Sequence, residues 1–387
     1  MPRQKMAHLF LWSGIALGNC FLILSCLIMF RSFTDWVTLK RGVALWEGRL
    51  HKPDDELGYG PIPGARGAVV LPNGSRTCVC YDSRGFRSPC IASGKENLTQ
   101  KQDYLLALGC SFTFGFGVEA ENTFCNLVAG KFKLTPLNAG KCSGGLAEML
   151  ILARKLIPQF KPKIVLAQYS PWLAERSTHR YGPTAQGLLP HPYFVDSTQG
   201  IIEIHKPDFK SQIFDYDSTK SDLSDDSFSG FFNFSFSREF PQLFSDKWNA
   251  SLVRLKELTG LVPEPTKDVN RIEQYIYGEI ASICRLVGSK MIVVVLGMDN
   301  RIPNIPYFFC KTNLQVVNAQ LAMLQRLEID SIEAYSRSYY HWGGEPVKVI
   351  DKHPNVVAHK TIANRILEVT KITIGYNTTN QKVGYSL

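Results

Sequence analysis

Several things are missing from this 387-residue sequence, and each absence narrows what it encodes. No internal repeat is found, and no nucleic-acid-binding motif. The net charge of +9 comes from 43 Lys and Arg scattered along the chain against 34 Asp and Glu. It forms no basic stripe, so it reads as a basic surface with no nucleic acid expected as partner. Cys78-Val79-Cys80 with Cys90 lacks a second paired-Cys or His element at zinc-finger spacing, so no metal is assigned, and no cofactor is expected. No small-x-small cleavage site follows the N-terminal apolar run before Arg31, which argues against a removed signal peptide.

That apolar run, Ala7 to Phe30, has no charged side chain apart from His8 and is long enough to span a bilayer as a helix. The expectation is a single-pass membrane anchor over residues 1–31, with the remainder outside the cytoplasm, although Arg3 and Lys5 on one side and Arg31, Lys40 and Arg41 on the other leave the orientation unfixed. Ten cysteines permit disulfides in such a compartment without demanding them. With 45% hydrophobic residues the chain can bury one large core, in roughly two domains at most.

Residues 32–95 read as a juxtamembrane segment followed by a small β element rich in Gly and Pro, with Asn73-Gly74 as a hairpin signal. From residue 96 to 387 strand and helix patterns alternate. Strands are expected at Asp103 to Leu108, Thr135 to Asn138, Lys163 to Tyr169, Met291 to Leu296 and around Ser331 to Ala334. Helices are expected at Asn122 to Lys131, Gly145 to Ile157 (broken by Pro158), Asp268 to Val287, Asn313 to Leu327 and Val356 to Thr370. Such alternation implies an α/β fold with a parallel sheet covered on both faces and ligands at the carboxyl ends of its strands. An insertion at about 176–265, with a Phe-rich middle at Phe214 to Phe240, reads either as a lid or as a surface excursion.

The strand at Leu105 to Leu108 stops in Gly109-Cys110-Ser111, and a Gly-punctuated turn leads on toward a helix. By itself this turn is either a helix cap or the mount of a nucleophilic serine. A serine hydroxyl needs a base and a group to orient that base. His179, His191 and His205 lie in the insertion, where nothing in the sequence positions them. Asp351-Lys352-His353-Pro354-Asn355 places a carboxylate and an imidazole on one tight loop before the last helix, although an Asp-His pair there can also be a simple cap.

Gly109-Cys110-Ser111-Phe112, Asn138-Ala139-Gly140 and the Asp351 to Asn355 loop resemble, in order and spacing, the blocks of the SGNH/GDSL hydrolase superfamily. Tyr81 to Arg87 is similar to the Gly-Phe-Arg lead-in of its bacterial membrane-anchored members. The resemblance implies a flavodoxin-like three-layer α/β/α sandwich and a serine ester hydrolase, with Ser111 as nucleophile, His353 as general base and Asp351 as its orienter. The substrate it implies is an acyl ester, such as an O-acetyl group, on an envelope or extracellular glycan or lipid. An acyltransferase onto exopolysaccharide and a degenerate SGNH binding module are the alternatives. Three positions depart from the pattern. Cys110 replaces the usual Asp of the first block, and reads as a structural thiol, a disulfide partner for Cys125 or Cys142, or the nucleophile itself. Ser143, followed by Gly144, stands where the second block has its oxyanion Gly. The third block's Gly-x-Asn is absent, which leaves Gln168 and Ser170 as candidate oxyanion donors.

Overall fold

A computed structural model describes residues 18–19, 21–23, 25–29, 45–90, 103–184, 187–197, 202–208, 245, 247–256, 258–311 and 314–379. The residues fall into two compact units. One comprises Met1–Gly42, Pro183–Leu188 and Thr219–Pro263. Its described residues are helical at 18–29 and at 247–256 where they are described, and Phe21 meets Trp248 edge-on with ring centroids 5.0 Å apart. The rest of the expected anchor and the whole Phe214 to Phe240 stretch lie outside the described residues. Among the described residues no helix is long and apolar enough to cross a membrane.

The other unit is a mixed α/β body built on a nine-stranded sheet. Its strands are β1 (Leu45–Glu47), β2 (Arg66–Val70), β3 (Arg76–Tyr81), β4 (Arg87–Ser88), β5 (Tyr104–Leu108), β6 (Thr135–Asn138), β7 (Ile164–Tyr169), β8 (Lys290–Val295) and β9 (Gln315–Asn318). The sheet order is β1-β2-β3-β4-β6-β5-β7-β8-β9. The five strands β5 to β9 run parallel in the order 2-1-3-4-5, one of the two common doubly wound arrangements. They are nearly continuous apolar runs, as strands buried on both faces must be: Leu105 to Leu108 and Ile292 to Val295 are fully buried.

The expected parallel sheet is therefore only part of the whole. The described residues of the expected small β element supply strands β1 to β4, which continue the sheet antiparallel, and the junction is a single bridge from Arg87 to Asn138. A hairpin of His51–Asp54 with Gly58–Pro61 packs beside them, with Tyr59 in one buried cluster with Trp46, Val69 and Val79.

Helices α1 (Ser111–Phe114), α2 (Phe124–Phe132), α3 (Leu146–Phe160), α4 (Pro171–Arg176), α5 (Val269–Val287), α6 (Ala319–Arg326), α7 (Ile332–Tyr339) and α8 (Val356–Thr379) cover the sheet. Right-handed crossovers that advance in opposite directions along the sheet place their helices on opposite faces. The packing follows this rule, since α3 packs with α5, and α2 and α6 pack with α8.

Two expected elements differ. Residues 315–318 form β9 where a helix was expected from Asn313, and Ser331 to Ala334 opens α7 where a strand was expected. Both helices begin at a side-chain cap: Asn318 accepts from the Leu321 N–H at 2.9 Å, and Ser331 from the Ala334 N–H at 3.2 Å. Pro158 does not break α3, which continues to Phe160. The described part of the insertion includes a hairpin, Tyr193–Asp196 with Ile202–His205, that buries Phe194 and Ile202 in the main core.

Candidate active site

The turn after β5 is built by its neighbours. Gly109 has no room for a Cβ, which would overlap the Thr113 hydroxyl and the Gln168 side chain. Cys110 is extended (φ −95°, ψ −154°) and α1 starts at Ser111, to be stopped after one turn by Gly115 at φ 80°, a left-handed conformation that glycine adopts without strain. The turn presents Ser111 at the carboxyl end of β5, beside β6 and β7.

Beneath it, Gln168 at the end of β7 works as a brace. Its Oε1 accepts from the Cys110 N–H (3.1 Å) and the Thr113 hydroxyl (2.8 Å). Its Nε2 donates to Ser170 Oγ (2.9 Å) and Cys110 Sγ (3.3 Å), and Ser170 Oγ donates to the Leu296 carbonyl (2.8 Å). Both side chains are buried, with every donor hydrogen committed. Neither Gln168 nor Ser170 therefore holds the free donor that the sequence reading gave it. The Gly144 N–H is likewise closed onto the Lys141 carbonyl at 3.0 Å. The N–H groups of Ser111 and Ser143, the latter at φ 58°, have no hydrogen-bond partner among the described residues.

Cys110 is a free, buried thiol, and so are Cys125 and, partly buried, Cys142. The disulfide among the described residues joins Cys80 to Cys90 instead. Cys110 thus fills a space in the brace and accepts from Gln168, with no disulfide to Cys125 or Cys142.

Opposite Ser111, a short hairpin of His341–Gly343 with Lys348–Asp351 ends in the predicted loop. His353 Nε2 lies 2.9 Å from Ser111 Oγ, and His353 Nδ1 lies 2.7 Å from Asp351 Oδ1. The same carboxylate oxygen also accepts from the His353 backbone N–H at 2.7 Å. A carboxylate on Nδ1 fixes the proton there and leaves the Nε2 lone pair facing the serine. Burial works against the Asp351 charge, but hydrogen bonds from His353 and its charge outweigh it, so the carboxyl titrates below its usual range.

The imidazole is walled by Phe112 and Phe116, with ring centroids 5.7 and 4.5 Å away. Asn355 holds the loop: its Nδ2 donates to the Ser338 and Tyr340 carbonyls (3.0 Å each), and its Oδ1 caps α8 at Val357 and Ala358. His341, paired with Asp351 across the hairpin, is half-buried, and the partial loss of water lowers its pKa.

Several residues have contacts here that the sequence reading did not assign. Arg87 is buried under the turn, with Nη1 donating to Gly115 O at 3.1 Å and Nη2 to Val118 O at 2.5 Å. Asn138 donates to Thr113 O at 3.0 Å and accepts from the Gly140 N–H at 3.0 Å, so it ties the Asn138 to Gly140 turn to the turn that carries Ser111. His191, unplaced in the sequence, is buried with Nδ1 3.0 Å from Glu148 Oε1. Burial opposes the Glu148 charge, yet Lys141 and His191 bring its pKa down to about 2.

No protein-family model matches the chain, and no curated protein matches it. Solved structures do show some likeness. One is a protein assigned to the lipolytic G-D-S-L family from Desulfitobacterium hafniense DCB-2, at 10% identity and TM-score 0.35, covering 69% of this chain and 98% of that one. Another is LAE5, an alpha/beta hydrolase enzyme from the metagenome of Lake Arreo, Spain, at 11% identity and TM-score 0.36, covering 70% and 95%. A third is a protein assigned as an acylhydrolase from Bacteroides fragilis NCTC 9343, at 11% identity and TM-score 0.30, covering 72% and 91%. At these TM-scores the likenesses add nothing to the reading of the site, whose geometry stands by itself.

Proposed function

We propose that the chain is a serine ester hydrolase of the SGNH/GDSL type, held to a membrane by its N-terminal segment with the catalytic body outside the cytoplasm. Its substrate is an acyl ester such as an O-acetyl group on an envelope glycan or lipid. The observation that carries this reading is the continuous relay from Ser111 Oγ through His353 to Asp351, at 2.9 and 2.7 Å.

Ser111 Oγ attacks the acyl carbonyl carbon while its proton passes to His353 Nε2. The negative charge that forms on the carbonyl oxygen faces the free N–H groups of Ser111 and Ser143. Asp351, ionised and held on Nδ1, stabilises the imidazolium. His353 then returns the proton to the departing alkoxide, the ester C–O bond breaks, and the acyl group stays on Ser111. Water, deprotonated by the same Nε2, attacks the acyl-serine and releases the carboxylic acid. If a sugar hydroxyl takes the place of water, the same steps transfer the acyl group.

A second reading, an SGNH body that binds without turnover, is favoured by the commitment of Gln168 and Ser170, the two candidate side-chain oxyanion donors, to the brace. Loss of one such donor costs about a hundredfold or more in rate. A fluorophosphonate probe separates the two. Labelling of the wild type that disappears in Ser111→Ala, with turnover of an acetyl ester, is the expected result. A wild type that neither labels nor turns over short- or long-chain esters would reduce the chain to a binding module. Product that forms only with a glycan acceptor present would assign acyl transfer.

A further inference from the structure

A concavity of about 480 Å³, within the range of small-molecule sites, lies between the 51–86 segment and the C-terminal half of α3. None of the three triad residues lines it. The helix explains why it is there. One face of α3 buries Met149, Leu150, Ala153 and Ile157 in the core. Leu152, Leu156 and Phe160, spaced four apart along the edge of this same apolar face, also line the cavity, with Lys155 and Gln159 beside them. Leu156 belongs to the main core and Leu152 and Phe160 pack against it, so the rim of that core gives the cavity an apolar wall suited to an apolar occupant.

The polar groups of the wall narrow the choice. Asn138 is spent on Thr113 O and Gly140 N, the Tyr59 hydroxyl on the Cys142 carbonyl, and the Tyr81 hydroxyl on His51 Nε2. Arg84 is held by Asp82 through two contacts at 3.0 and 2.8 Å. Lys141 is buried 3.6 Å from Glu148 Oε1 and 3.6 Å from the Tyr59 ring centroid. Asp54, the one carboxylate in the lining, caps its own turn through the Glu56 and Leu57 N–H groups at 2.9 Å each. Lys52, Lys155 and Gln159 remain: all three are exposed, and neither lysine has an ion-pair partner among the described residues. A saccharide would find few uncommitted hydrogen-bonding groups here, whereas an apolar chain ending in an anion meets both features of the wall.

We propose that this cavity binds an amphiphilic anion. Its acyl or alkyl chain lies along Leu152, Leu156 and Phe160, and its carboxylate or phosphate sits between Lys52 and Lys155. Phe114 of the Ser111 turn and Asn138 to Cys142 border the site, but no triad residue lines it, and the proposal does not depend on the esterase reading.

The test is photo-crosslinking of the full chain, in micelles of a neutral sugar detergent, with a diazirine analogue of hexadecanoate. Adducts are read by peptide mass spectrometry, and hexadecanoate, hexadecyl phosphate and hexadecanol serve as competitors. Adducts are expected on peptides carrying Leu152 to Phe160 or Leu57 to Pro63. Whichever anion displaces the probe at lower concentration identifies the headgroup. Lys52→Glu with Lys155→Glu should weaken capture roughly tenfold or more, because it removes charge-assisted contacts. Leu156→Trp, which fills the cavity, should abolish capture, and fluorophosphonate labelling of Ser111 should be unchanged in both variants. Adducts spread over unrelated peptides, hexadecanol competing as well as either anion, or capture indifferent to the lysine reversals would overturn the proposal.

Discussion

Arg87 lies over the ring of Phe114, its Cζ 4.3 Å from the ring centroid, and is itself almost wholly buried. Burial lowers its pKa to about 10, so it stays charged at neutral pH and spends that charge on the carbonyls of Gly115 and Val118. Arg87→Met keeps much of the volume but strands two buried acceptors. The expected loss is about 2–5 kcal/mol in urea unfolding, together with slower probe labelling of Ser111. A variant with wild-type stability would show that the guanidinium does not hold the turn.

Asp351→Asn should leave the loop folded and lower kcat by about three to four orders of magnitude, because an amide no longer enforces the Nδ1–H tautomer. Its effect on stability has a definite pH window. The folded carboxyl is depressed, so its contribution is full above about pH 4, the unfolded value, and disappears as pH falls through the native value. Denaturation of both proteins from pH 7 to pH 3 should show the gap between them closing only at the acid end.

His359 supplies a second and larger acid sensitivity. It is fully buried, its Nδ1 accepts from the Phe124 N–H at 3.2 Å, and burial lowers its pKa to about 3. As pH falls below about 6.5 the unfolded chain takes up a proton that the folded one refuses. Stability is therefore lost progressively down to about pH 3, by about 5 kcal/mol in all. His359→Gln keeps an acceptor without titrating. A urea-midpoint profile between pH 6.5 and 3 should be flatter for the variant, and parallel profiles would count against this residue.

Gln168→Leu removes an acceptor for two groups of the nucleophile turn. The expectation is a fall in kcat with KM little changed, at a stability cost of about 1–3 kcal/mol. If Gln168 instead served the oxyanion directly, stability would barely move. Gly109→Ala should act on the same contact from the other side, since its Cβ overlaps both Thr113 and Gln168. Thermal melts of the two single variants and the double variant should show non-additive losses.

The relay itself was legible because each of its parts sits in a short, local pattern: Gly109 to Ser111 at a strand end, and Asp351 to His353 before a helix. What those patterns do not record is how a buried side chain spends its donors. Gln168 and Ser170 stand where an oxyanion donor would, yet their hydrogens point into the brace. His191 has no local signal at all, because its partner Glu148 lies on α3. The misplaced fifth strand had a usable signal. Leu314, Val317 and Leu321 keep a helical spacing across Asn318, but an Asn followed by a fresh apolar run is also a start site, and the strand ends there.

The junction between the antiparallel and parallel halves of the sheet is one residue wide, and Arg87 occupies it on one side and Asn138 on the other. Both side chains also reach the backbone that follows Ser111. A protease cut between Ser88 and Asp103 would leave every residue of the relay on one fragment and Arg87 on the other. Such a cut would keep the Ser111–His353–Asp351 hydrogen-bond relay on one fragment and, once the fragments part, remove the guanidinium that holds the backbone after Ser111.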